Sequence, residues 1–296
     1  MSNVSLTSGV ARKGAALAAF LLTAGSAMAQ QAAPAADSKM VGHSAPGQLG
    51  MQTPVTPIAT DIVWFHDWLL AMCVIISLFV LALLVYVMVR FNEKANPTPS
   101  RLTHHTGLEV AWTLIPVLIL VVIAIPSFRM LRQQLVIPAA DLVVKVTAST
   151  WRWSYEYPKD QGAIAFDSVI VPQDELKPGQ LRLLTVDEPL VVPVNKTVHV
   201  QVTAADVIHS FAVPSFGVRI DAVPGRLNDS WFKAEREGVY YGQCSKLCGK
   251  DHAYMPIMIR VVSQNDYQAW LAAKQKKSAS AVPARTFADA AASVRQ

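Results

Sequence analysis

The segment Cys244-Ser245-Lys246-Leu247-Cys248-Gly249-Lys250-Asp251-His252-Ala253-Tyr254-Met255 gathers two thiols, an imidazole and a thioether into one short stretch. Together they form a soft donor set, and soft donors select copper or zinc over magnesium or calcium. The methionine tips that choice toward copper. A second imidazole is available from His209, 35 residues upstream of Cys244, in the run Asp206-Val207-Ile208-His209-Ser210-Phe211. A cysteine pair in an exported chain is also the ordinary signature of a disulfide. A disulfide, however, has no use for His252 and Met255 at such close spacing. The spacing alone leaves open how many ions the set would hold.

The run Tyr240-Tyr241-Gly242-Gln243-Cys244, the Cys-x3-Cys-x3-His-x2-Met that follows, and the upstream Val207-Ile208-His209-Ser210-Phe211-Ala212-Val213-Pro214 resemble subunit II of haem-copper cytochrome c oxidase. The resemblance implies a dinuclear copper centre, CuA. Cys244 and Cys248 would be its bridging thiolates, His209 and His252 would each serve one copper, and Met255 and the main-chain carbonyl of Lys246 would be the weak ligands. The family usually carries Glu where this chain has Lys246, and that carboxylate also reaches a magnesium ion at the boundary with subunit I. A carbonyl is available from any residue, so the copper site survives the change. An ammonium cannot ligate magnesium, so the magnesium site does not carry over in its usual form.

The chain is 296 residues long, with 52% hydrophobic and 16% charged residues, too apolar for an ordinary soluble protein of that length. Its formal charge of +5 does not point to nucleic acid. Between Asp141 and Leu271 there are 13 Lys and Arg against 15 Asp and Glu. The positive excess therefore sits in the leader, the membrane flanks and the tail, and no basic patch with interleaved aromatics is present.

Residues 1–29 read as a signal peptide, with Arg12 and Lys13, an apolar run from Ala15 to Ala24, and Ala27-Met28-Ala29 as the cleavage site. Residues 30–60 lack periodicity and are expected to be flexible. Two uncharged runs, Leu69 to Val89 and Val110 to Phe128, are long enough to cross a bilayer. They predict a transmembrane hairpin over 61–131, with helices at about 63–91 and 109–130 and a connecting loop over 92–108. Arg90, Lys94 and Arg101 in or beside that loop place it in the cytoplasm and both termini outside, in the periplasm of a bacterial inner membrane. Glu109 opens the second helix. By position it would face the helix dipole; the resemblance, carried by Glu109-Val110-Ala111-Trp112-Thr113, implies the entrance of a proton channel of subunit I.

From Asp141 the pattern turns to strands. Lys196 to Val202 alternates strictly, and Leu142 to Thr147, Leu181 to Val186 and Ile257 to Val262 are further β-rich runs separated by Pro and Gly. Residues 132–272 are read as an antiparallel β sandwich or barrel, and the resemblance specifies a cupredoxin-like Greek-key barrel. His199 falls on the polar face of its strand and is expected to be solvated. The aromatic run Trp151-Arg152-Trp153-Ser154-Tyr155-Glu156-Tyr157 reads as core packing. The resemblance makes Trp151 the point where an electron arrives from cytochrome c, with Glu156, Asp160, Asp206 and Asp221 as candidate docking carboxylates. Residues 273–296 are expected to form a flexible tail or a frayed helix, with no chemistry.

These residues imply the electron-accepting subunit of a cytochrome c oxidase, with subunit I, cytochrome c and the lipid bilayer as partners. Two rival readings remain. A copper chaperone or thiol reductase of the Sco type would show a thioredoxin-like alternation of helices and strands. A mononuclear blue-copper carrier would leave one thiol idle.

Overall fold

The computed structural model describes residues 40–281. The signal peptide expected over 1–29 lies outside them. Two long helices, α1 (Pro57–Arg90) and α2 (Thr106–Leu135), precede a β domain built from strands between Leu142 and Val262. This is the expected membrane hairpin followed by a cupredoxin-like β domain, but its sheets are mixed and not antiparallel throughout: Leu142–Ser149 pairs with Thr197–Ala204, and Leu190–Pro193 with Pro256–Val262, in parallel.

Both helices expose apolar side chains all round, including Phe79, Val89, Leu118 and Ile125, each more than 60% exposed. Such a surface is stable only against hydrocarbon or another apolar protein face. The helices start earlier and end later than the apolar runs suggest, because the extra turns are fixed by polar contacts instead of hydropathy. At the start of α1, Thr56 Oγ1 accepts from Ala59 N at 3.0 Å and donates to Phe216 O at 2.8 Å, tying the N-cap to the β domain. Pro57 then sits where a missing N–H costs nothing. Gly217 closes the facing turn at φ +66, and a β-carbon there would stand 3.0 Å from Ala59 Cα. At the end of α2, Trp231 Nε1 donates to Gln133 O at 3.1 Å.

One sheet is ordered β4 (Ile164–Ser168), β3 (Arg152–Tyr157), β2 (Leu142–Ser149), β6 (Thr197–Ala204), β9 (Asn228–Lys233). The other runs β5 (Leu190–Pro193), β11 (Pro256–Val262), β10 (Gly238–Cys244), β7 (His209–Val213), β8 (Val218–Ala222), with β1 (Met40–Gly42) added in parallel to β10. Period-2 alternation explains which side chains face inward. On β3, Trp153, Tyr155 and Tyr157 are buried while Arg152, Ser154 and Glu156 face out; on β2 and β6 every second residue is buried. Trp153, Tyr155, Phe211, Phe216 and Phe232 fill the space between the sheets.

Several expectations are corrected. Residues 40–59 are not a loose arm: β1 is paired, Val55 N donates to Ser215 O at 3.0 Å, and Glu235 N donates to Val55 O at 2.9 Å. Leu181 to Val186 is a turn, with Leu183 at φ +62 and a single bridge from Val186 to Ile170, because its backbone closes on itself, Leu184 N and Thr185 N both donating to Leu181 O. The segment from 273, read as a flexible tail or a frayed helix, begins inside a helix, α3 (Gln264–Ala281). Ser263 caps α3, Trp270 packs on Tyr157 and Phe166, and Lys274 pairs with Glu188 at 2.5 Å while lying over the Phe166 ring.

Candidate metal centre

The site sits where β7 begins and β10 ends. β10 pairs with β7 in the register Cys244↔Phe211, and Ser245 N continues the ladder to Ser210 O at 3.2 Å, so Cys244 arrives beside His209. That pairing requires Gly242: a β-carbon there would lie 2.1 Å from Ala212 O. After Cys244 the chain loops through Cys248 and a 3-10 turn at His252–Tyr254 before β11 carries it away.

All six predicted donors converge. Cys244 Sγ is 3.9 Å from Cys248 Sγ, 4.0 Å from His209 Nδ1 and 3.2 Å from the Lys246 carbonyl oxygen. Cys248 Sγ is 3.4 Å from His252 Nδ1 and 3.6 Å from Met255 Sδ. A disulfide places its sulfurs near 2.05 Å, so the two thiols are free. Ligands bonded at about 2.0–2.3 Å to a tetrahedral ion lie about 3.3–3.8 Å apart; the Cys248 spacings to His252 and Met255 fall in that range, and the three around Cys244 lie within about 0.2 Å of it. Six donors exceed what one four-coordinate ion takes, and each sulfur has its own imidazole and one further donor beside it.

The centre is dry. His209, Met255, Cys244 and Cys248 are all buried. Burial, reinforced by the neighbouring Cys244 sulfur, pushes the Cys248 thiol up to about 12. The Trp151 indole N–H, itself buried without a hydrogen-bond partner, lies close enough to oppose that rise.

Asp206 orients His209. Its Oδ1 accepts from His209 Nε2 at 2.9 Å and from Val207 N at 2.6 Å, and its Oδ2 accepts from Thr150 N and Thr150 Oγ1, both at 2.7 Å. Partial burial works against the charged carboxylate, but the bonds from Thr150, His209 and Val207 prevail and hold it well below the usual carboxylate range. With the proton held on Nε2, His209 turns an unprotonated Nδ1 toward the sulfurs.

Trp151 stands at the end of β2–β3, half-buried against the cysteine loop. Gly249 makes this approach possible: its φ is +126, and a β-carbon on it would meet Trp151 Cζ2 at 2.9 Å. Lys250 Nζ lies 5.8 Å from the Trp151 ring centroid. The four docking carboxylates do not form a free acidic patch. Asp160 is at the opposite end of the sheet, beside Asp141 and Lys196 where β2 and β6 begin. Glu156 pairs with Lys145 at 3.0 Å, Asp221 pairs with Lys246 at 3.4 Å, and Asp206 is committed to His209 and Thr150. Glu109 is remote, in the first turn of α2, about 36 Å along the helix from the end that touches the β domain. There its Oε1 accepts from His105 N at 3.3 Å while His105 Nδ1 accepts from Leu108 N at 3.2 Å, so the two side chains cap the helix start reciprocally. His199, expected on the polar face and not as a ligand, is partly exposed, pairs with Asp229 at 2.7 Å and takes no part in the centre.

Sequence reasoning did not anticipate Trp153, whose Nε1 donates to Met255 O at 2.9 Å and whose ring stands edge-on to Phe211. The alternation through Trp151–Tyr157 signals that it points inward, but its partner is set by folding across 102 residues.

The family description "Cytochrome C oxidase subunit II, periplasmic domain" matches residues 142–262, and its transmembrane counterpart matches 44–130. The chain belongs to the cytochrome c oxidase subunit II family. A probable cytochrome c oxidase subunit 2 of Rickettsia bellii is 52% identical over 234 residues, covering 79% of this chain and 87% of that one. The subunit 2 of Cereibacter sphaeroides is 47% identical over 272 residues, covering 86% and 88%. The crystal structure of the periplasmic domain of subunit II from Bradyrhizobium japonicum is 56% identical, with a TM-score of 0.45, covering 48% of this chain and 99% of that one. As a subunit II, the chain is part of a haem-copper oxidase and partners subunit I. The chaperone reading fails on the fold as well: among the described residues, the segment between α2 and α3 contains strands and 3-10 turns and no α-helix.

Proposed function

We infer that this subunit accepts single electrons from cytochrome c at Trp151 and passes them to the haem of subunit I, where oxygen reduction is coupled to proton pumping. The observation that carries this reading is the convergence of six donors on two free, buried thiols 3.9 Å apart. Two copper ions, the CuA centre, would be held by Cys244, Cys248, His209, His252, Met255 and the Lys246 carbonyl. When bound, that centre supplies a one-electron store.

The chain's own residues do the rest. Asp206 keeps the His209 proton on Nε2, so the donor atom Nδ1 is always presented. Trp153 holds the Met255 carbonyl, and the wall of Trp153, Phe211 and Met255 excludes water. A rigid cage on a β scaffold changes little between redox states, which favours fast transfer. Trp151 sets a half-buried aromatic ring against the cysteine loop at Gly249. The Lys246 ammonium is paired with Asp221, so this position supplies no magnesium ligand. In the same reading the β domain and N-terminus lie in the periplasm, loop 92–108 lies in the cytoplasm, and Glu109 on the cytoplasmic side borders the proton channel of subunit I.

The test is rapid mixing of reduced cytochrome c with the purified oxidase. Trp151→Gln is expected to slow electron uptake at least about tenfold with copper content intact, because it removes the aromatic bridge without touching a donor. Unchanged uptake by this variant would overturn the assignment.

A further inference from the structure

A groove runs between α1 and α2 on one side of the hairpin. At the end nearest the β domain it opens into a hollow of about 700 Å³, flanked by Asp61 and Arg129 and walled by Trp64, Trp68 and Pro126. Deeper along the same helix faces lies a smaller hollow of about 230 Å³, lined by Met72 and Ile119 with no polar surface, and the two share Val122. On α1 the lining residues recur every three or four positions, from Asp61 through Trp64 and Trp68 to Met72, so they form one continuous face. Eleven residues of helix rise about 16 Å, close to the roughly 15 Å of one bilayer leaflet. The groove is therefore polar at the membrane surface, apolar through one leaflet, and narrowing inward.

We propose that this groove binds one phospholipid of the outer leaflet with a zwitterionic, ammonium-bearing headgroup. Three observations converge on that occupant. The mouth carries one carboxylate and one guanidinium that are not ion-paired with each other or with any other described residue. Arg129 can take a phosphate bidentately, and Asp61 can take the ammonium. The indoles of Trp64 and Trp68 stand at the headgroup level, where amphipathic rings are favoured. The deep hollow is slender and wholly apolar, which suits an acyl chain and not a transmembrane helix of about 10 Å diameter. This site is independent of the copper reading, since lipid retention is scored whatever the metal content.

The experiment uses the assembled oxidase in a mild detergent, with phosphatidylethanolamine or phosphatidylglycerol added, and counts retained lipid by native mass spectrometry. Wild type is expected to keep one phosphatidylethanolamine on this subunit, with a preference of about fivefold over phosphatidylglycerol, the scale of one charge contact at a membrane surface. Asp61→Asn should abolish the preference, and Arg129→Gln should lower retention of both lipids. Equal retention of the two lipids by wild type would overturn the proposal, as would retention unaffected by both variants. Retention by the isolated chain but not by the assembled oxidase would also overturn it, because a neighbouring subunit would then fill the groove.

Discussion

Asp206→Asn changes one oxygen to a nitrogen and tests how the site is held. The native carboxylate accepts four donors: His209 Nε2 and Val207 N on one oxygen, Thr150 N and Thr150 Oγ1 on the other. An asparagine has one acceptor oxygen, so its NH2 must face two of those donors. If it faces Thr150, the hydroxyl can rotate to accept but the Thr150 N–H is left without a partner. If it faces His209, the imidazole has to present a lone pair at Nε2, and its proton moves to Nδ1, 4.0 Å from Cys244 Sγ. That tautomer cannot bind a metal through Nδ1. Each orientation strands at least one N–H, a cost of about 1–3 kcal/mol. The Asp206 side chain is 31% exposed, so water recovers part of this and the lower end of that range applies to folding. Copper affinity should fall further, by about 10–100-fold, the usual effect of losing an outer partner of a ligating histidine. Competition against a copper chelator measures it, with Thr150→Val as the control that spares the His209 contact. An affinity for Asp206→Asn within about threefold of wild type would refute the reasoning.

Gly242→Ala should be among the most damaging small substitutions, since its β-carbon would press on the Ala212 carbonyl and part β10 from β7; a cost of about 1–3 kcal/mol or more would appear in thermal unfolding together with lost copper. Electron uptake from cytochrome c should depend weakly on salt, falling less than about tenfold between low and physiological ionic strength, where a steered encounter would fall steeply. The reason is that Glu156 and Asp221 are already paired and Asp160 is at the far end of the domain; a steep loss in stopped-flow mixing would contradict it. Copper-free protein should lose stability in acid. Asp141 is held low by the Thr197 N–H and Lys196, and Glu188, despite burial, by Lys274 and Lys277. Together with Asp206, they bind fewer protons folded than unfolded. Their contribution is therefore complete above the unfolded values of about 4 and is lost as pH falls through the folded ones. Denaturant midpoints that stay flat from pH 6 to pH 3 would exclude this.

The donor set was legible because its members are close in sequence and chemically unusual: two thiols, an imidazole and a thioether at fixed spacing have few other uses. His209, although 35 residues away, was legible only through its own motif. The strands over Leu142 and Thr197 could be read from alternation, and the membrane helices from hydropathy. What could not be read depends on contacts made by folding. The Thr56 cap needs the Phe216 carbonyl, the end of α2 needs Trp231, and α3 needs Glu188 and Phe166 as partners. The surroundings of the candidate docking carboxylates were hidden for the same reason, since sequence gives a charge but not the lysine that pairs with Glu156 or Asp221. Leu181–Val186 has strand-like composition, but a strand also needs a neighbour to pair with.

The most direct measurement is electron paramagnetic resonance of the copper-loaded full chain, with the copper-to-protein ratio determined on the same sample. The arrangement of Cys244, Cys248 and their four companions predicts two copper ions per chain and hyperfine splitting from two equivalent copper nuclei sharing one unpaired electron. Splitting from a single nucleus, or one copper per chain, would contradict the shared two-thiolate centre.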